Sequence, residues 1–143
     1  MECNLADLSS IDAFVKNLIS SKRKDNNNAG ATTTPSPLFD AVCYNAGVAR
    51  NIDAGDIART KDGFELTVGT NHLGHFYLNH LLLSSNLINN NNAGAGRIVV
   101  TSSSVHDPES PGGAQGATAT LGNLQGLENL TYLICESAQI STL

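Results

Sequence analysis

The chain has 143 residues and a formal net charge of −5, which is length for one small domain and the wrong sign for a nucleic-acid surface. Its only basic cluster, Lys22-Arg23-Lys24, stands where a helix is expected to end and offsets the dipole there. Cys3, Cys43 and Cys135 have no metal-ligand spacing and form no even set, so a reducing compartment is expected, and no apolar run reaches the length of a membrane span.

Met1-Glu2-Cys3-Asn4 has the features of neither a signal nor a transit peptide. Ser9-Ser10-Ile11-Asp12 reads as a capping box. Ile11, Phe14, Val15, Leu18 and Ile19 then repeat at helical spacing on one apolar face, and the helix is expected to end near Lys22. Asp25 to Pro37, rich in Asn and Thr, reads as a mobile linker. Leu38 to Tyr44 is a short apolar run that ends at Asn45-Ala46-Gly47, a buried strand entering a glycine turn.

After a polar loop from Val48 to Thr60, a long helix is expected over Lys61–Leu83, with Phe64, Val68, Asn71 and Phe76 or Leu78 sharing one side. Gly69 and Gly74 interrupt it. Each costs about 1 kcal/mol relative to Ala in a helix interior, so each predicts close approach of a neighbouring segment. Asn86 to Gly96 reads as a second Asn/Ala/Gly insertion that pads the space between elements. Arg97 to Thr101 is a second buried strand, Ser104 to Gly126 is loop-like, and Asn129 to Leu143 shows no clear period.

The alternation helix, strand, helix, strand predicts an α/β fold with a parallel sheet. Ligands in such sheets sit at the carboxyl ends of strands. Asn45-Ala46-Gly47 and Ser102-Ser103-Ser104 fall at two such ends. Ser103 could hold a substrate carbonyl oxygen there, or simply end a strand. Asn71 is a poor helix former in mid-helix, which suits either a functional amide or a solvated one. His72 and His75 are three apart without acidic partners, so no metal site is expected. No P-loop and no nucleophile elbow occur.

Tyr44-Asn45-Ala46-Gly47, the run from Gly63-Phe64-Glu65 through Thr70-Asn71-His72-Leu73-Gly74-His75-Phe76, and Arg97-Ile98-Val99-Val100-Thr101-Ser102-Ser103 together resemble the middle third of the short-chain dehydrogenase/reductase family. The resemblance implies the central portion of a Rossmann-like, doubly wound parallel sheet, with residues 1–128 a partial NAD(P)-binding domain and residues 129–143 unlike the family. It implies that Ser103 holds the substrate, and that Asn71 opens the helix locally and joins a proton relay. It implies that Asn45, Ala46 and Gly47 meet the cofactor ribose. Asn4-Leu5 stands where the family has Asp-Leu near the adenine.

Three departures are plain. Tyr44 replaces an Asn common in the family, and no glycine-rich phosphate turn occurs. Tyr-x-x-x-Lys is also missing: Tyr132 is followed four residues later by Glu136, whose carboxylate would raise the phenol pKa rather than lower it. The expectation is an incomplete chain that folds poorly and is inactive by itself.

Gly112-Gly113-Ala114-Gln115-Gly116 and Ala119-Thr120-Leu121-Gly122-Asn123-Leu124-Gln125-Gly126-Leu127 resemble the corresponding loop of the light-dependent protochlorophyllide reductases in that family. This implies NADP(H), addition of hydride and proton to a ring double bond, and a plastid location. Ser102-Ser103-Ser104-Val105-His106 also resembles retinol-dehydrogenase-like members, which act on lipophilic carbonyls or alcohols, with a cytoplasmic location the alternative. A non-catalytic remnant is the third reading.

Overall fold

In a computed structural model, which describes residues 1–28, 38–49, 57–89, 96–103 and 138–142, helices and strands alternate as expected. Tyr132, the loop from Gly112 to Leu127, and Ser104 to His106 lie outside the described residues, as do positions 29–37 and 90–95 of the two Asn-rich stretches.

Helix α1 spans Leu8–Asn28. Its cap is Asp7 rather than Ser9. Asp7 Oδ1 accepts from the Ser9 N–H at 2.9 Å and the Ser10 N–H at 3.2 Å, while Oδ2 takes Lys61 Nζ at 2.6 Å. A carboxylate caps as well as a hydroxyl and adds charge that favours the helix N-terminus. The helix also runs past Lys22 to Asn28, because Lys and Arg are good helix formers and Asn is only mildly unfavourable. The expected apolar face is the observed one: Ile11 and Val15 are buried, and Phe14, Leu18 and Ile19 pack against the core.

The Lys61 ammonium, followed by the Ser9 hydroxyl, lowers the Asp7 pKa from 3.8 to about 2. The folded state therefore binds the proton more weakly than the unfolded state, and this contribution to stability falls as pH drops from about 3.8 towards 2. We expect Asp7→Asn to flatten the pH dependence of the urea midpoint in that window while leaving the slope above it unchanged. An unaltered acid slope would show that the cap carries no linkage.

Strand β1, Ala41–Tyr44, pairs in parallel with β2, Arg97–Ser103, with Val42 opposite Ile98 and Tyr44 opposite Val100. The pleat turns Val42 and Ile98 to one face, where they join Val15, Leu82, Leu87 and Ile88 in a single core. Helix residues pack on that face, and β1 and β2 form the parallel strand pair of the α/β arrangement expected. β3, Ala138–Thr142, lies antiparallel on the far edge of β2, an element that the unpatterned C-terminal sequence did not announce. An edge strand presents unpaired N–H and C=O groups to any neighbouring segment, whatever its side-chain pattern.

The expected long helix is three pieces. Glu65 caps the first, its two carboxylate oxygens accepting from the N–H groups of Thr67 (2.9 Å) and Val68 (2.8 Å). α2 therefore begins at Leu66 rather than Lys61, after a turn through Gly63 at φ +89°. A π-helical segment, Gly69–Gly74, follows and leads into α3, His75–Ser84. The π turn breaks the regular period. Phe64 lies before α2 and faces solvent, as does Phe76 beyond the π turn, while Val68 is buried and Leu78 packs against the core, so the shared face expected holds only in part.

The segment after α3 corrects the padding assigned to Asn86–Gly96. Leu87 and Ile88 are core residues, and Ile88 bridges in parallel to Phe39.

Candidate active site

Gly69 and Gly74 have the reason the sequence demanded. A Cβ on Gly69 would run into the Thr60 methyl, and one on Gly74 into the Leu5 carbonyl oxygen. The π turn is therefore pressed between the 57–64 loop and the chain leading into α1. Asn71, inside the turn, clamps the segment that follows β1. Its Oδ1 accepts from the Val48 N–H at 2.8 Å, and its Nδ2 donates to the Val48 C=O at 2.8 Å. Gly47 lies directly beneath, where a Cβ would stand 3.4 Å from Asn71 Oδ1.

The carboxyl ends of the two parallel strands are tied together by Thr101 Oγ1, which donates to Asn45 Oδ1 at 2.8 Å. Strand alternation places Thr101 and Ser103 on one face, and Ser103 stands ~7 Å further along the strand. Asn4 folds back on itself: its Oδ1 accepts from the Ala6 N–H at 3.0 Å, and its own N–H donates to Ser10 Oγ at 3.0 Å. The structure thus joins Asn71 to the Asn45-Ala46-Gly47 turn and sets Leu5 against Gly74, while Ser103 stands at the end of the neighbouring strand.

Beneath the clamp is a polar layer that sequence reasoning missed. Tyr44 is buried, and its hydroxyl donates to Asn79 Oδ1 at 3.0 Å. Burial pushes the Tyr44 phenol up to about 12, so it stays protonated. Its ring lies 5.3 Å from the His75 imidazole at a 48° tilt. His75 Nδ1 is 2.9 Å from the Asn71 C=O, so Nδ1–H is the donor. Burial lowers the His75 pKa, an effect that the carbonyl bond partly opposes. Thr70 Oγ1 is buried with no hydrogen-bond partner among the described residues. The available signal was the run Asn71–Asn79, whose polar residues recur four apart at 71, 75 and 79. Among the described residues no group of His, Cys, Asp or Glu could hold a metal ion.

Comparison with known proteins gives the class. The chain is 36% identical over 127 residues to a chloroplastic protochlorophyllide reductase of Daucus carota, covering 89% of this chain and 28% of that protein. It is 34% identical over 127 residues to the chloroplastic protochlorophyllide reductase of Chlamydomonas reinhardtii, with the same coverage of each chain. To retinol dehydrogenase 14 of Mus musculus it is 35% identical over 105 residues, 73% of this chain and 25% of that protein. These relatives are oxidoreductases of the short-chain dehydrogenase/reductase family, and the chain is a homologue of that family. Within it, the similarity to protochlorophyllide reductases spans most of the chain, which itself spans about 28% of the length of those relatives. No family model matches the chain, and no solved structure matches it.

Proposed function

We propose that these residues form part of the active site of an NADP(H)-dependent reductase resembling protochlorophyllide reductase. The reaction adds hydride and a proton across a ring double bond, in chlorophyll biosynthesis within a plastid. The observation that carries this reading is the two-bond clamp of Asn71 on Val48, which fixes the Asn45-Ala46-Gly47 turn at the carboxyl end of β1. NADPH, when bound, supplies the hydride.

The chain's own residues fit that cofactor. Asn45, Ala46 and Gly47 are small and exposed, so a ribose can approach their backbone closely. Asn4 uses its Oδ1 on Ala6, which leaves Nδ2 as the donor that an adenine nitrogen requires. Ser103, at the end of β2, offers a hydroxyl to the substrate. No tyrosine in the 143 residues is followed four positions later by Lys, so no residue of this chain is assigned as proton donor.

The retinol-dehydrogenase-like reading, with a lipophilic carbonyl or alcohol as substrate, rests on alignments of 105 and 83 residues. The 127-residue alignments favour the protochlorophyllide reductase reading because they run over more of the same chain.

The test uses the native protein, its termini established by mass spectrometry. NADPH should bind saturably, and Asn71→Ala should weaken it about tenfold, the worth of roughly one or two hydrogen bonds. Ser103→Ala should leave NADPH affinity within about twofold and lower turnover on the order of a hundredfold, as loss of an oxyanion donor does. Failure to bind NADPH, or an Asn71→Ala protein that binds it as tightly as the parent, would sink the reading. Turnover of retinal rather than protochlorophyllide would move the protein to the second substrate class.

A further inference from the structure

The carbonyl of Asn71 is the point of departure. In a regular α-helix it would accept from the N–H of His75, four residues on. Here the His75 N–H goes to the His72 C=O instead, and the π turn occupies Gly69–Gly74. The same residue returns a donor by another route, since its imidazole Nδ1 sits 2.9 Å from the Asn71 C=O. We infer that His75 is a positioning residue: its side chain ties down the carbonyl of Asn71, and so holds Asn71 in place to clamp Val48.

Three features support the assignment. First, the part-buried bond of Nδ1 to the Asn71 carbonyl, at 2.9 Å, fixes the backbone of the residue that makes the clamp. Second, the imidazole is itself held, with the Tyr44 ring 5.3 Å away and the Tyr44 hydroxyl fixed on Asn79. Third, the chain of contacts is short and continuous, from the Tyr44 ring to the His75 ring, to the Asn71 carbonyl, to the Asn71 amide and the Val48 backbone. His75 makes no contact with Val48 in this chain of bonds, so its effect there must pass through Asn71. A surface histidine such as His72, exposed on the same turn, has no such path.

Hydrogen exchange of the Val48 amide, the group that Asn71 Oδ1 accepts from, reads the clamp without any cofactor. It therefore decides the role of His75 separately from the NADP(H) reading. In the full chain, His75→Leu should lower the protection of Val48 about five- to tenfold, since a single hydrogen bond is at stake. His75→Asn, which keeps an N–H donor near the position of Nδ1, should restore most of it, and His72→Leu should change nothing. A His75→Leu protein with Val48 protected as in the parent overturns the inference, and so does a His75→Asn protein no better than His75→Leu.

A second measurement needs no variant. The imidazole nitrogens of the parent chain, followed by ¹⁵N NMR, should show His75 as the neutral tautomer with the proton on Nδ1. A neutral ring with its proton on Nε2 would turn a lone pair towards the carbonyl and overturn the assignment equally.

Discussion

Gly74→Ala is expected to destabilise the protein by about 2 kcal/mol, although helix propensity alone predicts a gain of about 1 kcal/mol for the same change. The two effects have opposite signs, and geometry decides between them. A Cβ at Gly74 would collide with the Leu5 carbonyl oxygen and come within 3.1 Å of the Leu5 Cβ. A side-chain neighbour could rotate away, but a backbone oxygen moves only with its chain. That chain is pinned on both sides: Asn4 bonds Ala6 at 3.0 Å, the Lys61 N–H bonds the Ala6 C=O at 3.0 Å, and Asp7 pairs with Lys61. Relief therefore requires the start of α1 or the π turn to shift, and the π turn carries Asn71. Urea unfolding measures the stability loss, and amide exchange of Val48 measures whether the clamp loosens with it. Gly63→Ala is the contrast. It meets nothing within 4 Å but sits at φ +89°, so its strain should stay local and leave Val48 protection unchanged. A Gly74→Ala protein as stable as the parent, within about 0.5 kcal/mol, would remove the close approach as the reason for that glycine.

The two glycines show what kind of information the sequence holds. A glycine in a helix is locally unfavourable, so its presence signals a tertiary contact even when the partner is unknown. Gly69 and Gly74 announced a close neighbour, but nothing in their surroundings named Thr60 or Leu5. The apolar face of α1 was legible for a different reason, because Ile11 and Val15 follow the helical period that burial enforces. Helix starts were less legible. Asp7 and Glu65 both cap with carboxylates, and each was overlooked, the first beside Ser9 and the second inside a helix expected to start at Lys61.

The site was legible in part. Asn71 and Asn45-Ala46-Gly47 could be singled out by residue type and position, and they meet in the structure. The layer beneath them was not, although its polar residues recur four apart at Asn71, His75 and Asn79. Helical spacing puts His75 and Asn79 on one face, but it does not name Tyr44, 31 and 35 residues earlier on β1, as what that face meets. β3 was illegible because the pairing of an edge strand is set by the backbone of its neighbour.

Leu87→Ala is expected to cost about 3 kcal/mol, in the range for deleting a fully buried leucine side chain. Leu87 is 1% exposed and belongs to the core with Val15, Leu82 and Ile88. Composition hid this residue, since it sits at the mouth of an Asn-rich stretch. The cap of α3 explains why it is nonetheless inside. Asn86 takes a left-handed conformation at φ 51°, its N–H bonds the Leu83 C=O at 3.0 Å, and the Leu87 N–H bonds the Leu82 C=O at 2.9 Å. Those two bonds are the Schellman pattern, in which the second residue past the helix turns back to make an apolar contact.

The same turn delivers the Leu87 carbonyl to the N–H groups of Leu38 and Phe39, both at 2.9 Å, so the cap also aligns the entry to β1. Alanine keeps these backbone bonds and removes only the side chain, which isolates the packing contribution. Leu83→Ala, one turn back and 43% exposed, should cost less than about 1 kcal/mol. If the two variants unfold at the same urea concentration, Leu87 is not a core residue. If Leu87→Ala alone falls, the core of this α/β unit extends into sequence that composition assigns to a linker, and the boundary of the insertion moves to the far side of Ile88.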